Sequence, residues 1–383
     1  MINISGLGVS YPPALVSNEE FAKMAYSLYK PSAALDKVFA ISTKTGIKTR
    51  SQVVTGDHPL FTQPAVPSIT QISQLFTREG VKLAVRAARD ALADAGLKPE
   101  DVTHLVATTC TSSSNPGYDF HVARALGLPS AVERVLLHGV GCAGGLAAVR
   151  LASRLCKSAE AGSRPVHVLV VACEVNSAFA RNELECIDRD NEVRIGTVLF
   201  GDGAGAVVVS RSDDGDSAHP DRGAFEIVHC AHTIVPDTAD IISLDVCPEG
   251  WKETISPRLP SVVGQCIPTI YKNLLASLPP ALAAQMPESP RDLDWPIHTG
   301  GAAFLRAAAQ ALALDQEHLR ASWAVYADHG NTSSSSVLAV LDDSRRTQTR
   351  EWAVSLAFGP GLVAEVVLLR RLDFQRATSR CAD

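Results

Sequence analysis

The sequence has no excess of positive charge. Lys and Arg number 35 against 41 Asp and Glu, which gives a formal net charge of −6 at neutral pH. Proteins that bind nucleic acid through bulk electrostatic attraction carry a basic surface. We therefore expect no nucleic-acid partner, and an anionic ligand would need a local cluster of basic side chains.

Long hydrophobic runs are missing as well. No stretch approaches the roughly 18 to 20 uninterrupted apolar residues that cross a bilayer as a helix, so we expect no membrane span. The first residues, Met1 to Gly8, lack a basic segment followed by an apolar one and do not resemble a secretion signal. They are typical of a first β-strand, and we expect a cytoplasmic protein.

Paired cysteines and zinc-binding motifs are absent. The nine cysteines are an odd number and are widely scattered, in a chain long enough to bury a core without disulfide staples. We expect reduced thiols. Because there is neither a CxxC pair nor an HExxH motif, the sequence gives no support to a metal site.

What is present is an alternation of helix and strand patterns. After Gly80 the apolar residues recur on one helical face as far as Gly96, a residue type that commonly ends helices. A short β-branched run over 102–109 then predicts a buried strand. The alternation continues with predicted helices over 118–126, 143–158, 302–314 and 333–343 and predicted strands over 135–139, 166–172, 204–210, 323–326, 352–357 and 362–369. This order predicts an α/β protein with layered sheets.

A chain of 383 residues has room for roughly two or three domains, or for one duplicated unit. The polar run RSDDGDSAHPDRG, over 211–223, lacks apolar periodicity and contains Gly and Pro, which favours a boundary there. We predict an N-terminal half over 1–222 and a C-terminal half over 223–383. Each half has a Phe-Gly-x-Gly turn before an apolar strand, at Phe200 and at Phe358, and this repeat weakly favours duplication.

The glycine run GDGAG, which begins at Gly201, has some likeness to a dinucleotide-binding loop. In that loop the glycines follow a strand and open a helix whose N-terminus holds the pyrophosphate. Here a strand pattern follows the glycines instead. We therefore predict a structural turn and expect no nucleotide or other cofactor.

Cys142 stands in the sequence HGVGCAGG, between a predicted strand and a predicted helix. A thiol at a helix N-terminus lies at the positive end of the helix dipole, which stabilises the thiolate and lowers the thiol pKa from about 8.5. The neighbouring Gly141, Gly144 and Gly145 leave room for a ligand or another backbone segment beside the sulfur. These features favour a nucleophile, whereas burial statistics alone favour an ordinary core cysteine.

A nucleophilic thiol needs groups that take its proton and stabilise developing charge. His298, in WPIHTGG, stands where a short apolar run meets a glycine turn, a position that presents side chains to ligands. Asn331, in DHGNTSSSSV, precedes a predicted helix and could donate an amide N–H to a thioester carbonyl. The structural alternatives are a turn histidine and an N-cap asparagine.

Taken in order, five motifs resemble those of the type III polyketide synthases, the chalcone synthase family. They are GCAGG around Cys142, LFGDGAGA over 199–206, WPIHTGG around His298, GNTSSSSVL from Gly330 and FGPGL from Phe358. Their order and spacing agree with the family over essentially the whole chain. The resemblance implies a thiolase fold of two similar αβαβα halves, a homodimer, and elongation of coenzyme A thioesters by malonyl units.

The resemblance also implies roles for individual residues. Cys142 would carry the acyl chain, and His298 and Asn331 would complete a triad that polarises the malonyl thioester during decarboxylation. Phe200 matches the gatekeeper between the coenzyme A tunnel and the cavity. Further positions are implied in two groups, the cavity wall at Phe358 and Ser333 and the coenzyme A contacts at Lys37, Lys44, Gly300 and Ala303.

Several cavity positions depart from chalcone synthase itself. Residues that match its small hydroxyl positions are Cys110, Asn176 and Phe179, while Val246 and Ile255 replace a glycine and a phenylalanine. The aromatic content is only 5%, and each CH₂ group removed from water contributes about 0.8 kcal/mol. We therefore expect a fatty acyl-CoA starter and an alkylpyrone or a resorcinol or resorcylic-type product.

Other functions use similar residues. A ketoacyl-acyl-carrier-protein synthase III has the same fold and the same Cys-His-Asn set, but FGPGL and GCAGG favour the polyketide synthase. A cysteine hydrolase could cleave thioesters with Cys142 and His298, and the same site could join a β-ketoacyl starter to a diketide-CoA. Thiolase itself would need a second catalytic cysteine, and Cys381 stands in a polar tail.

Overall fold

The computed structural model describes residues 1–158, 165–211, 223–247 and 250–372. Its strands, in chain order, are β1 (Ile2–Ser10), β2 (Ala14–Ser17), β3 (Thr49–Gln52), β4 (His104–Thr108), β5 (Glu133–Leu137), β6 (His167–Glu174), β7 (Gly203–Arg211), β8 (Phe225–Ile234), β9 (Ile242–Cys247), β10 (Gly250–Ile255), β11 (Trp352–Gly359) and β12 (Val363–Arg371).

The α-helices of the same ranges are α1 (Asn18–Tyr26), α2 (Ala33–Ser42), α3 (Pro59–Thr62), α4 (Ile69–Leu75), α5 (Val81–Ala95), α6 (Tyr118–Leu126), α7 (Gly144–Ser158), α8 (Ala180–Asp190), α9 (Gly196–Leu199), α10 (Leu259–Ala276), α11 (Pro280–Ala283), α12 (Ala302–Ala311), α13 (Arg320–His329) and α14 (Ser336–Thr347). A π-helical turn, Phe76–Gly80, leads into α5, and 3-10 turns lie at Pro99–Asp101, Gly141–Ala143, Asn176–Phe179, Pro290–Asp292, Gln316–Leu319 and Ser333–Ser335.

Eight of the strands form one sheet in the order β11-β12-β8-β1-β7-β6-β4-β5. Strand β1 is antiparallel to β7, β7 is antiparallel to β6, and β6 is parallel to β4. The other end of the sheet repeats this order, because β8, β12 and β11 are successively antiparallel and the extended residues 294–297 bridge β11 in parallel. The repeat confirms the predicted duplication and shows that the two halves share a single sheet through β1 and β8.

Side chains along each strand point alternately to the two faces of the sheet, and helices pack against both faces. On β6, Leu169 and Val171 pack in the same core as α5, whereas Val168 and Val170 pack in the core that contains α7 and α14. In the other half, α10 and α12 cover the outer face of β11 and β12. The layers are therefore outer helices, the N-terminal part of the shared sheet, the central helices α7 and α14, the C-terminal part of the shared sheet, and outer helices. This αβαβα arrangement is the predicted thiolase fold.

The structure corrects one predicted element and refines another. The strand predicted over 323–326 is wrong, because these residues belong to α13. The run is short and apolar, and periodicity alone cannot assign such a run to a strand or a helix. The helix predicted over 333–343 begins as a 3-10 turn and continues as α14. The predicted boundary falls on residues 212–222, outside the described part, and stays a prediction.

No helix in the described ranges is long and apolar enough to cross a membrane. Within these ranges Cys110, Cys142, Cys156, Cys173, Cys230 and Cys266 are free thiols; Cys381 lies outside the ranges.

A buried ion pair links the two halves across the central layer. Arg150 on α7 donates from Nε and Nη2 to the two carboxylate oxygens of Glu365 on β12, at 2.7 and 2.6 Å. The Glu365 side chain is only 2% exposed, and His232 Nδ1 on β8 lies 2.8 Å from Oε1 of the same carboxylate. Glu365 therefore depends on these two groups to compensate its buried charge.

We predict that Arg150→Ala lowers the free energy of unfolding by about 3 to 5 kcal/mol, because it leaves the Glu365 carboxylate buried without its main partner. The measurement is the melting temperature by calorimetry. Lys23→Ala, which removes an exposed ion pair with Glu19, is the control. Its melting temperature should equal that of the wild type. Equal melting temperatures for the two variants would contradict the prediction.

Candidate active site

Cys142 lies in the 3-10 turn Gly141–Ala143, between strand β5 and helix α7. Glycine is required just after it: a Cβ on Gly145 would come within 2.5 Å of the Ser334 carbonyl oxygen. The missing side chain therefore allows a backbone segment of the C-terminal half to pack against the start of α7. The glycines predicted that a ligand or another backbone segment could come close to this turn. In the structure, a backbone segment of the protein itself does so.

Ser333 connects two thiols. Its hydroxyl lies 3.4 Å from Sγ of Cys142 and 3.3 Å from Sγ of Cys110. The residue has a left-handed backbone, with φ of 51°, a conformation that costs a non-glycine residue energy and is common at functional sites. Its backbone N–H donates to Oδ1 of Asn331 at 2.8 Å.

Asn331 is held between the two halves and faces the thiol. Its N–H donates to the Leu199 carbonyl at 2.9 Å, and its carbonyl accepts from the Gly201 N–H at 3.0 Å. Phe200, between these two residues, forms a parallel bridge with Asn331. Because Oδ1 already accepts from Ser333, the amide N–H₂ is free to donate, and its hydrogen bond to the sulfur favours the Cys142 thiolate.

His298 is 2% exposed, and its Nδ1 lies 2.6 Å from the hydroxyl of Ser336, the first residue of α14. The Ser336 hydroxyl also lies 2.9 Å from the Ser333 carbonyl and donates to it. A hydroxyl can accept from Nδ1–H or, after rotation, donate to bare Nδ1. Nε2 makes no hydrogen bond within the described part of the chain. It can therefore accept a proton when Nδ1 carries the ring hydrogen, and it can donate a hydrogen bond when Nε2 carries that hydrogen.

Burial favours the neutral forms of Cys142 and His298. Burial raises the pKa of Cys142 to about 12, against the smaller lowering effects of hydrogen bonds from Ser333 and Asn331. Burial also lowers the pKa of His298 to about 3. The lowered thiol pKa expected from the helix dipole is therefore wrong for this site, because burial of the sulfur raises the pKa and is the largest effect on it. No direct hydrogen bond joins Cys142 to His298 among the described residues.

The thiol opens into a cavity. About 820 Å³ of empty space lies between its wall atoms, part of it open solvent. Residues predicted for this cavity that line it are Cys110, Cys142, Asn176, Phe179, Phe200 and Ser333. The wall also contains residues that the sequence did not single out, among them Trp251, Glu183 and Glu253.

Other predicted cavity residues have different surroundings. Phe358 is buried on β11 and packs edge-on against Phe304, and the following Pro360 lines the cavity. Ile255 packs against the core of the C-terminal half. The backbone of Val246 pairs with Trp251 in the β9–β10 hairpin, and its side chain lies outside the described part.

The predicted coenzyme A contacts lie mostly on the surface. Lys37 on α2, Lys44 just after α2, and Ala303 on α12 are exposed, and Gly300 is half-buried. Neither lysine forms an ion pair within the described ranges, so both ammonium groups are free to meet phosphate. Their role stays a prediction.

A buried carboxylate organises the wall behind the thiols. Glu174 accepts hydrogen bonds from the Cys110 backbone N–H at 3.1 Å, from the Thr111 hydroxyl at 2.7 Å and from the Ser334 hydroxyl at 2.5 Å. It therefore joins strand β6 to the loop after β4 and to the serine run of the C-terminal half. The sequence offered no signal for it, since its partners are distant along the chain.

Two family models cover nearly the whole chain. The N-terminal domain of chalcone and stilbene synthases matches residues 2–213, and the corresponding C-terminal domain matches residues 226–373. The chain belongs to the chalcone and stilbene synthase family. The predicted type III polyketide synthase, an acyltransferase that forms carbon–carbon bonds, is thereby confirmed as the class of this enzyme.

Fungal members of the chalcone and stilbene synthase family are similar over the full length. The acylalkylpyrone synthase csyB of Aspergillus oryzae is 35% identical over 97% of this chain and 94% of its own length. A crystal structure of the fungal type III polyketide synthase ORAS superposes with a TM-score of 0.91, at 40% identity, over 97% of this chain and 99% of that one. A structure of CsyB complexed with CoA-SH superposes with a TM-score of 0.92, at 35% identity, over 97% of this chain and 100% of that one.

We predict that Ser336→Ala slows malonyl-CoA decarboxylation by about fivefold, because a buried hydrogen bond of this kind contributes about 1 kcal/mol and orients the His298 ring. The measurement is the steady-state decarboxylation rate. Ser335→Ala is the matched control: Ser335 is equally buried, but its hydroxyl bonds only to Thr332. If both alanine variants lose the same activity, Ser336 has no particular effect on the imidazole.

Proposed function

We propose that this enzyme loads a fatty acyl group from acyl-CoA onto Cys142, extends it with malonyl-CoA, and closes the chain to an alkylpyrone or a resorcinol or resorcylic-type product. One observation carries the proposal. A single segment of the C-terminal half brings the Asn331 amide and the Ser333 hydroxyl to the Cys142 thiol, which lines an open cavity, and places Ser336 against the His298 imidazole.

Acyl transfer begins with the neutral thiol–imidazole pair. Nε2 of His298 takes the thiol proton as the sulfur attacks the thioester carbonyl of the starter. The new bond joins sulfur to the acyl carbon, the bond to coenzyme A breaks, and the proton leaves on the coenzyme A thiol. The high pKa of Cys142 means that the thiolate forms only as the substrate binds and His298 accepts the proton.

Extension uses the same groups as hydrogen-bond donors. With Nε2 protonated, His298 and the Asn331 amide donate to the thioester carbonyl of malonyl-CoA, where negative charge develops as the carboxylate leaves as CO₂. The resulting carbanion attacks the acyl carbon on Cys142. A carbon–carbon bond forms, the sulfur–carbon bond breaks, and the extended chain is left on coenzyme A. The Cys142 thiolate that leaves takes up a proton from solvent and returns to the neutral thiol.

The cavity wall supports an aliphatic starter. Phe179, Trp251, Ile242 and Leu244 contribute apolar surface close to the thiol, and each methylene of an alkyl chain buried there gains about 0.8 kcal/mol. Phe179 and Trp251 pack edge to face, with ring centroids 6.3 Å apart, which narrows the space for a rigid aromatic starter. The acylalkylpyrone product in the name of the csyB relative points the same way.

Coupling of a β-ketoacyl starter with a diketide-CoA, the alternative considered from the sequence, would use the same site, and no observation favours it over extension by malonyl-CoA. The homodimer and the cytoplasmic location expected from the sequence stay predictions.

We predict that decanoyl-CoA outcompetes coumaroyl-CoA as a starter when both are present with malonyl-CoA, since the alkyl chain gains burial energy that a rigid ring cannot gain in a narrow cavity. Products are quantified by mass spectrometry over a ladder of acyl chain lengths. Preference should rise with chain length until the cavity ends. Dominant coumaroyl products would refute the aliphatic starter and leave the Cys142 chemistry intact.

A further inference from the structure

Glu253 is a cavity residue for which the condensation chemistry has no use. It lies on strand β10, opposite Leu244 of β9, and alternation puts it on the same face of the hairpin as Trp251. Both side chains line the cavity that contains Cys142. The intervening Lys252 points to the other face, where its ammonium group lies 3.6 Å from the Glu192 carboxylate.

The Glu253 carboxyl group makes no hydrogen bond and no ion pair with any residue in the described ranges. Glu183, which also lines the cavity, is paired with Arg194 at 3.2 Å. A Cβ on Gly196 would overlap Oε2 of Glu253, so the glycine leaves the space that the carboxyl group occupies. A half-buried polar group that lines a cavity without a protein partner takes its hydrogen bonds from a ligand or from water.

The protonation state follows from the surroundings. Burial, and secondarily the negative charge of Glu183, raise the pKa of Glu253 well above its ordinary value. This environment favours the neutral carboxylic acid over the carboxylate. A neutral carboxylic acid offers one O–H donor and one carbonyl acceptor side by side.

This donor and acceptor pair matches the chemistry of a growing polyketide. Each extension adds a ketone at the β position, and a β-diketone in its enol form presents a carbonyl acceptor next to a hydroxyl donor. The neighbouring Phe179, Trp251 and Leu244 offer no such partner. Ketide oxygens that enter this region lose water and therefore need a replacement hydrogen bond.

We propose that the carboxyl group of Glu253 is the subsite that holds the ketide oxygens of the extended chain, and so determines how far the chain grows and where it closes. The inference rests on the proposed polyketide function and names a residue that controls its product. The starter alkyl chain has no such oxygen, so loading of Cys142 should not depend on Glu253.

The test compares wild type, Glu253→Gln and Glu253→Leu with decanoyl-CoA and malonyl-CoA. Two quantities are measured: acyl loading of Cys142 by intact mass, and the ratio of multiply extended to singly extended products. We expect Glu253→Leu to load normally but to lower that ratio about tenfold, as for loss of one buried hydrogen bond. Glu253→Gln keeps a donor and an acceptor and should stay within about threefold of wild type. Glu288→Leu, the same change at an exposed site, is the control.

Gly196→Ala provides an independent variant if Glu253→Leu does not fold. It keeps the carboxyl group but displaces it, and should lower the product ratio in the same direction. The proposal is overturned if Glu253→Leu matches wild type, or if Glu253→Gln is as impaired as Glu253→Leu. If the wild-type enzyme forms no extended product, both the polyketide function and the role of Glu253 are overturned. If wild type and Glu253→Leu extend the chain equally well, only the role of Glu253 is overturned.

Discussion

The active site depends on the hydroxyl and amide groups of one short segment, Asn331 to Ser336, packed between the two halves. Ser333 contacts Cys142, Ser334 contacts Glu174, and Ser336 contacts His298. All three serines are 2% exposed or less. A buried hydroxyl is costly unless it is paired, so the segment fits only where each of these partners is in place. The chemistry is thus tied to the correct docking of the C-terminal half on the N-terminal half.

The second constraint is the absence of charge at the reacting atoms. Burial holds Cys142 and His298 in their neutral forms and disfavours ionised Glu253. A low-dielectric site of this kind strengthens hydrogen bonds to charge that develops on a substrate. It also means that the thiolate appears only when an acyl donor and the imidazole are both in position, which limits side reactions of the thiol.

The sequence predicted those parts of the fold and site that are encoded locally. The helix that begins after Gly80 and ends at Gly96, the strand before Cys142 and the glycines around it follow from short patterns, and the structure has them as expected. Ordered motifs then identified the family. The helix around Trp323 was mistaken for a strand because four apolar residues carry no decisive period.

What the sequence could not give depends on contacts between distant residues. The pKa of Cys142 follows from burial by segments such as Ser333, 191 residues away, and no local pattern contains that information. Glu253 looks like an ordinary residue of an exposed hairpin until the strand is seen to face the cavity. The alternation of Trp251, Glu253 and Ile255 was a faint signal, but it does not say which face of the hairpin is inward.

The central claim, that Cys142 carries a chain which this enzyme elongates, is tested most directly by mass spectrometry of the Cys142 peptide and of released product after treatment with decanoyl-CoA and then malonyl-CoA. The account predicts a decanoyl adduct on wild type, none on Cys142→Ala, and extended ketide product only from wild type. A decanoyl adduct that yields only free decanoic acid, or equal product from Cys142→Ala, would contradict it.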